Sequence, residues 1–214
     1  MIIAGKTFMN RTDAGFEVGK LLERKYKNTN ALVLGIPRGG VPAAREIAKV
    51  LNAEMSVLIT KKLPHPVMHD LALGAAAEDG SVFLNSTAQE IDRDTLHKIH
   101  MVQNLEIKRR VERFRKGKPL PNMHNRVVII ADDGIATGST IVPAIKMCRS
   151  RKAAKVIVAA PVSGRRYLNE INTLADEVVI LEQPDIFHAV SQAYSDFHSL
   201  TDEEVISVIE TVRR

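Results

Sequence analysis

The chain has no tryptophan, a single cysteine, few aromatic residues and no long apolar run. The lone Cys148 has no partner for an intrachain disulfide, and a cysteine-rich metal site is impossible. This usage suits a reducing compartment, with Cys148 expected as small apolar filler on a helix. No window approaches the length of a membrane-spanning segment, and "MIIAGKTFMNRTDAG" lacks the basic-then-apolar pattern of a leader, so a cytoplasmic protein with no membrane partner is expected. There is no G-x-x-x-x-G-K-[ST] loop, which argues against the common nucleoside-triphosphate cradle. Internal repeats and low-complexity tracts are absent as well.

What is present describes an ordinary globular protein. Its 214 residues, 45% hydrophobic and 26% charged, suffice for one domain with a sizeable core. The formal charge of +5 suits anionic ligands without choosing between phosphates and nucleic acid.

Apolar periodicity predicts a first helix at about residues 13–26, a buried strand over Ala31–Ile36, a helix over Val41–Asn52 and a strand over Met55–Ile59. "TKKLPHPVMHD" (Thr60–Asp70), interrupted by prolines, reads as a loop. "LALGAAAEDGSVFLN" reads as a hairpin turning at Asp79-Gly80. Thr87–Lys116 reads as one long helix opened by a Thr87/Glu90 capping box and stopped by "GKPLPN". From Val127 the order is strand, loop, helix (Thr140–Arg151), strand (Lys155–Ala160), helix (about 165–175) and strand (Glu177–Leu181), with a last helix from about Asp202. Such alternation implies an α/β fold: a mostly parallel central sheet with helices on both faces. A helical and hairpin insertion at about 71–124 and a small C-terminal hood at about 182–214 complete the expected single domain.

Ligands of open parallel sheets collect beyond the carboxyl ends of strands. There, in "VVIIADDGIATGST" (Val127–Thr140), an apolar strand ends in Asp132 and Asp133. Adjacent carboxylates on an extended chain point different ways and suit the hydroxyls of a diol or metal-bound waters. Gly134 and Gly138 allow tight backbone paths, and Thr137, Ser139 and Thr140 add hydroxyls at a helix start, where backbone donors and the helix dipole favour phosphate. "GIPRGG" (Gly35–Gly40) lies at the end of the first strand in the same way. Gly39 and Gly40 permit close approach to an anion, and Arg38 offers a planar, permanently charged fork.

Four apolar residues, two acids and a loop ending in T-G-x-T resemble the phosphoribosyl pyrophosphate signature of type I phosphoribosyltransferases. The resemblance implies that Asp132 and Asp133 hold the ribose hydroxyls and that Ala136, Thr137, Gly138, Ser139 and Thr140 bind the 5′-phosphate. It further implies pyrophosphate contacts from Arg38, Gly39, Gly40 and a loop lysine, either Lys61 or Lys62, and a stacking contact on the nucleobase from Phe187. Mg²⁺ is implied as cofactor, bound mainly through pyrophosphate and waters rather than a protein metal site. In the hypoxanthine-guanine branch an aspartate stands where this chain has Ala136, which makes a 6-oxopurine a poorer fit. "IPRGG", "LALGA" and the terminal "TDEEV" are similar to a bacterial branch whose acceptor is undefined. The expected activity is transfer of 5-phosphoribosyl to a nitrogenous acceptor in nucleotide metabolism, with the long helix covering a sheet edge or forming a homodimer contact. The alternative is a phosphoribosyl-pyrophosphate-binding regulator of RNA or a protein partner. The basic run "KRRVERFRKGK" (Lys108–Lys118) bears on this, but without an aromatic stacking platform it reads as a solvated helix face, and nucleic acid is not the expected partner. His65 and His69, among prolines, read as loop histidines rather than metal ligands.

Overall fold

The computed structural model describes residues 7–68, 71–165, 167 and 169–212. His69 and the extreme N-terminus lie outside them. Five parallel strands, β1 (Leu32–Gly35), β2 (Glu54–Val57), β6 (Val127–Ala131), β7 (Lys155–Val162) and β8 (Glu177–Glu182), form a sheet in the order β2-β1-β6-β7-β8. β1, β6 and β7 are covered on both sides, which explains their near-continuous apolar sequences.

Helices α1 (Arg11–Tyr26) and α2 (Gly40–Leu51) bury Val18, Leu22, Ile47 and Leu51 against Val33, Ile129 and Ile157 on one face. On the other, α4 (Ile141–Ser150) and α5 (Asn169–Leu174) pack Ile145, Met147 and Ile171 against Leu34, Ile130 and Val158. Cys148 is buried in this layer, and desolvation pushes its thiol up to about 12, so it is inert filler rather than a nucleophile. The α/β architecture expected from alternation is therefore present.

A second, antiparallel sheet joins β3 (Thr60–Pro64), β4 (Ala72–Ala77) and β5 (Val82–Leu84), with β4 in the middle. The hairpin turn falls at the expected place, but only Gly80 takes a positive φ (+89°). Gly80 N–H donates to Ala77 O and Ala77 N–H to Ser81 O, the pattern of a three-residue loop ending in a left-handed glycine.

Several boundaries differ from the sequence reading. Thr60–Pro64 is a strand, not part of a loop: β3 lies at a sheet edge, where Pro64 at its final position removes no needed donor. The strand expected over Met55–Ile59 stops at Val57. The long helix α3 spans Arg93–Arg115, because Ile91 is extended and the Asp92 carboxylate, not Thr87, accepts the capping N–H of Thr95. Ser86–Glu90 forms only a 3-10 turn, and α5 is shorter than the expected 165–175 helix. The last helix, α6, spans Asp202–Val212.

The small sheet is tied to α3 and to the β2–β3 junction by a buried ion pair. Arg115, at the end of α3, donates to Glu78 Oε1 at 2.7 Å, to Val57 O at 2.7 Å and to Lys118 O at 3.0 Å, and Glu78 also accepts the Ile59 N–H at 3.0 Å. Removing one member of such a pair strands the other charge. Arg115→Met is therefore expected to cost about 3–5 kcal/mol in urea denaturation, with most of it recovered by adding Glu78→Gln. Much of the remaining basic run on α3 is neutralised internally: Arg109 and Arg110 pair with Glu106, and Arg113 with Glu203.

Candidate functional site

The two suspected ligand loops leave neighbouring strands in step. Gly35 at the end of β1 is paired with Ala131 at the end of β6, and Ile36 N–H donates to Ala131 O at 3.0 Å. The turn Ile36–Gly39, which contains a cis peptide between Pro37 and Arg38, starts α2 directly against the acidic pair. A Cβ on Gly40 would stand 2.6 Å from Ala131 O and 2.9 Å from Asp132 Cα. A Cβ on Gly39 would stand 1.9 Å from Asp133 Oδ2. These two glycines are where the absence of a side chain lets the loops meet.

An open cavity of about 150 Å³ is lined by Asp132, Gly134, Ile135, Ala136, Thr137, Gly138, Ser139 and Thr140 of the β6–α4 loop, by Ile141 at the start of α4 and by Lys62 of β3. Ala136 and Thr137 are exposed, Ser139 is buried, and Gly138 takes φ +82° to turn the chain into α4. The Thr140 side chain makes no cap hydrogen bond. Ile141 and Val142 N–H groups both close back on Gly138 O. The loop is pinned from behind: Ile135 N–H donates to Val162 O at 2.8 Å, and Val190 packs over Gly134. A larger cavity, about 420 Å³, lies along the later turns of α2 among Arg45, Ala48, Lys49, Asn52, Ala53 and Thr211. Its lining includes none of the strand-end residues, so size does not make it the site.

The acids are not equivalent. Asp132 lines the cavity, and its Oδ1 accepts the Asp133 N–H at 2.9 Å. Loss of water around it, reinforced by the neighbouring Asp133 charge, raises its pKa well above the ordinary carboxylate value, with Lys62 opposing only weakly. Asp133 instead accepts from Arg11 Nε at 2.7 Å. The two lysines separate in the same way. Lys62 faces the cavity, whereas Lys61, on the opposite side of β3, is depressed by desolvation and then by Arg110, Arg109 and Arg38. Arg38 is exposed, with Asp202 at 3.9 Å. Phe187 is half-buried against Gly164 beyond β7 and is not among the residues lining the cavity.

Sequence reading missed two residues. Arg11 is buried beneath Asp133, and the buried Tyr194 donates its hydroxyl to Asp133 O at 2.6 Å while burial raises its pKa. Both contacts join segments far apart in the chain, so no local pattern announces them. His65 sits in a turn, where its Nδ1 accepts the N–H groups of Val67 and Met68. Among the described residues no group of three or more His, Cys, Asp or Glu side chains is placed to hold a metal ion, and no helix is long and apolar enough to cross a membrane.

An acidic strand end, a hydroxyl-bearing loop and a glycine turn meeting at one sheet edge define an α/β protein with a cavity at the carboxyl ends of its parallel strands. Comparison with known proteins supplies the family: the phosphoribosyl transferase domain matches residues 11–198, and the chain belongs to that family. It is 38% identical over 212 residues to a Mycobacterium tuberculosis protein named "Putative phosphoribosyl transferase", covering 98% of this chain but 48% of that one. The chain thus spans about half the length of the curated relatives it matches. The crystal structure of TT1426 from Thermus thermophilus is 33% identical, with a TM-score of 0.80 over 95% of this chain and 97% of that one. A hypoxanthine phosphoribosyltransferase from Staphylococcus aureus, 15% identical, shares the fold with a TM-score of 0.50 over 84% and 78% of the two chains.

Proposed function

We propose that the chain transfers the 5-phosphoribosyl group of phosphoribosyl pyrophosphate to a nitrogenous base or related acceptor. The anomeric C–O bond breaks, a C–N bond forms, pyrophosphate leaves and the acceptor nitrogen gives up a proton. The observation that supports this reading is the close approach of Gly39 and Gly40 to Asp133 and Asp132, because it brings the Ile36–Gly39 turn and the hydroxyl-bearing loop together at one acidic pair.

In this reading Thr137, Ser139 and Thr140 with the start of α4 grip the 5′-phosphate, assisted by the lysine that the cavity favours, Lys62. Asp132, from inside the cavity, and Asp133 beside it orient the ribose hydroxyls. Arg38 and the amide of Gly39 stabilise the departing pyrophosphate, the Gly40 N–H being taken by Ile36 O at 3.0 Å, and Lys61 adds positive charge nearby. Holding the sugar at both ends orients the anomeric carbon towards the acceptor. The cavity's oxygen donors are of the hard kind that suits Mg²⁺, which would be held by pyrophosphate and waters with Asp132 as the nearest carboxylate. When bound, it would supply charge neutralisation on the leaving group.

The test is a panel of nitrogenous bases and amines incubated with phosphoribosyl pyrophosphate and Mg²⁺, monitoring both pyrophosphate release and the ribosylated product. Acceptor-dependent release with a matching product is expected, and 6-oxopurines should be weak acceptors because Ala136 offers no proton-transfer group. Tight binding without turnover over the whole panel would favour the regulator reading, and absence of binding would end both.

A further inference from the structure

Arg11 breaks a local rule. It is the first residue of α1, where the helix dipole disfavours a positive charge, and it is only 7% exposed. Breaches of this kind point to a compensation elsewhere, and here it is Asp133. The pair at 2.7 Å leaves 8% of the Arg11 side chain and 14% of the Asp133 side chain exposed. The guanidinium also donates to His198 O at 3.0 Å and lies 3.8 Å from the Phe197 ring centroid. Phe8 and Met9, just before α1, exchange backbone hydrogen bonds with Ala193, Ser195 and Asp196, so the segment leading into α1 is clasped to the segment between β8 and α6 beside this arginine.

The same Asp133 Oδ2 that accepts from Arg11 also faces Gly39, where a Cβ would stand 1.9 Å from it. A fixed negative charge therefore abuts the turn assigned above to a highly charged anion. In a partly desolvated setting, repulsion between them is strong. We propose that Arg11 is a positioning residue that cancels and fixes the Asp133 charge behind the Gly39–Gly40 turn, and so makes that turn able to accept a pyrophosphate group. The proposal rests on the phosphoribosyl pyrophosphate reading of the site.

Calorimetric titration of the full chain with Mg²⁺-pyrophosphate, and separately with ribose 5-phosphate, tests it. Arg11→Met should weaken pyrophosphate binding by about tenfold or more, and Arg11→Lys by no more than about threefold. Arg11→Met combined with Asp133→Asn should return to within about threefold of the original affinity, a rescue that a purely structural role for Arg11 does not produce. If Arg11→Met does not fold, Arg11→Gln, which keeps a donor but no charge, takes its place with the same expected loss. Unchanged pyrophosphate affinity in the single variant, or a double variant as weak as the single, overturns the role of Arg11. Failure of the unaltered chain to bind either ligand overturns the phosphoribosyl reading itself.

Discussion

Gly40→Ala is expected to lower phosphoribosyl transfer by about a hundredfold and to destabilise the fold by about 1–3 kcal/mol. The sign is not obvious, since alanine inside a helix normally gains about 1 kcal/mol over glycine. Space decides it. The added methyl would stand 2.6 Å from Ala131 O, 2.9 Å from Asp132 Cα and 3.1 Å from Asp132 Oδ1. Two of these three are backbone atoms at and just past the end of central strand β6, which cannot rotate aside as a side-chain tip can. The start of α2 must then move away from β6, carrying Arg38 and Gly39 off the acidic pair. Chemical denaturation and the pyrophosphate-release assay read the two effects, with Lys49→Ala, an exposed change on the same helix, as the unaffected control. Full activity and unaltered stability in Gly40→Ala would show that the turn does not need the close approach on which the proposed site depends.

The parts of this molecule legible from sequence are those whose signal is local. Val127–Ala131 reads as a buried strand because apolar cover on both faces leaves no polar position, and Asp132–Thr140 reads as a ligand loop because acids, glycines and hydroxyls follow one another without a gap. Other features depend on partners. Thr60–Pro64 is hidden by its proline and by Lys61 and Lys62, which an edge strand tolerates because Pro64 at its end removes no needed donor, Lys62 is exposed and Lys61 is only half-buried. Thr87 reads as the helix cap in the sequence, and only the extended backbone at Ile91 sets the helix start at Arg93, with Asp92 as its cap. Arg11, 122 residues from Asp133, has no local signal at all. The acidic pair is thus visible in the sequence, but the inequality of its two members is not, since it arises from what the fold brings up behind each carboxylate.

That inequality gives Asp132→Asn two opposite effects. Asp132 lies on the cavity with a raised pKa, whereas Asp133 is paired with Arg11. An acid whose folded-state pKa exceeds its unfolded value of about 3.9 binds its proton more tightly in the folded chain. Below about pH 4 both states are protonated and there is no penalty. As pH rises from there through the folded-state pKa, stability is lost, and above it the loss is complete. Asparagine cannot ionise, so Asp132→Asn should raise the thermal midpoint at about pH 8 and leave it nearly unchanged at about pH 4. The geometry should survive, because the asparagine oxygen can still accept the Asp133 N–H that Asp132 Oδ1 now accepts at 2.9 Å. Catalysis should move the other way. A carboxylate holds a sugar hydroxyl through a charge-assisted hydrogen bond and offsets positive charge growing on the sugar ring, and a neutral amide does neither as well. kcat/KM for phosphoribosyl transfer at about pH 8 is therefore expected to fall by about a hundredfold while the protein becomes harder to melt. A fall in kcat/KM of less than about threefold would mean that Asp132 is not the sugar-facing acid, and an equal rise in melting temperature at about pH 4 and about pH 8 that it is not the acid with the raised pKa.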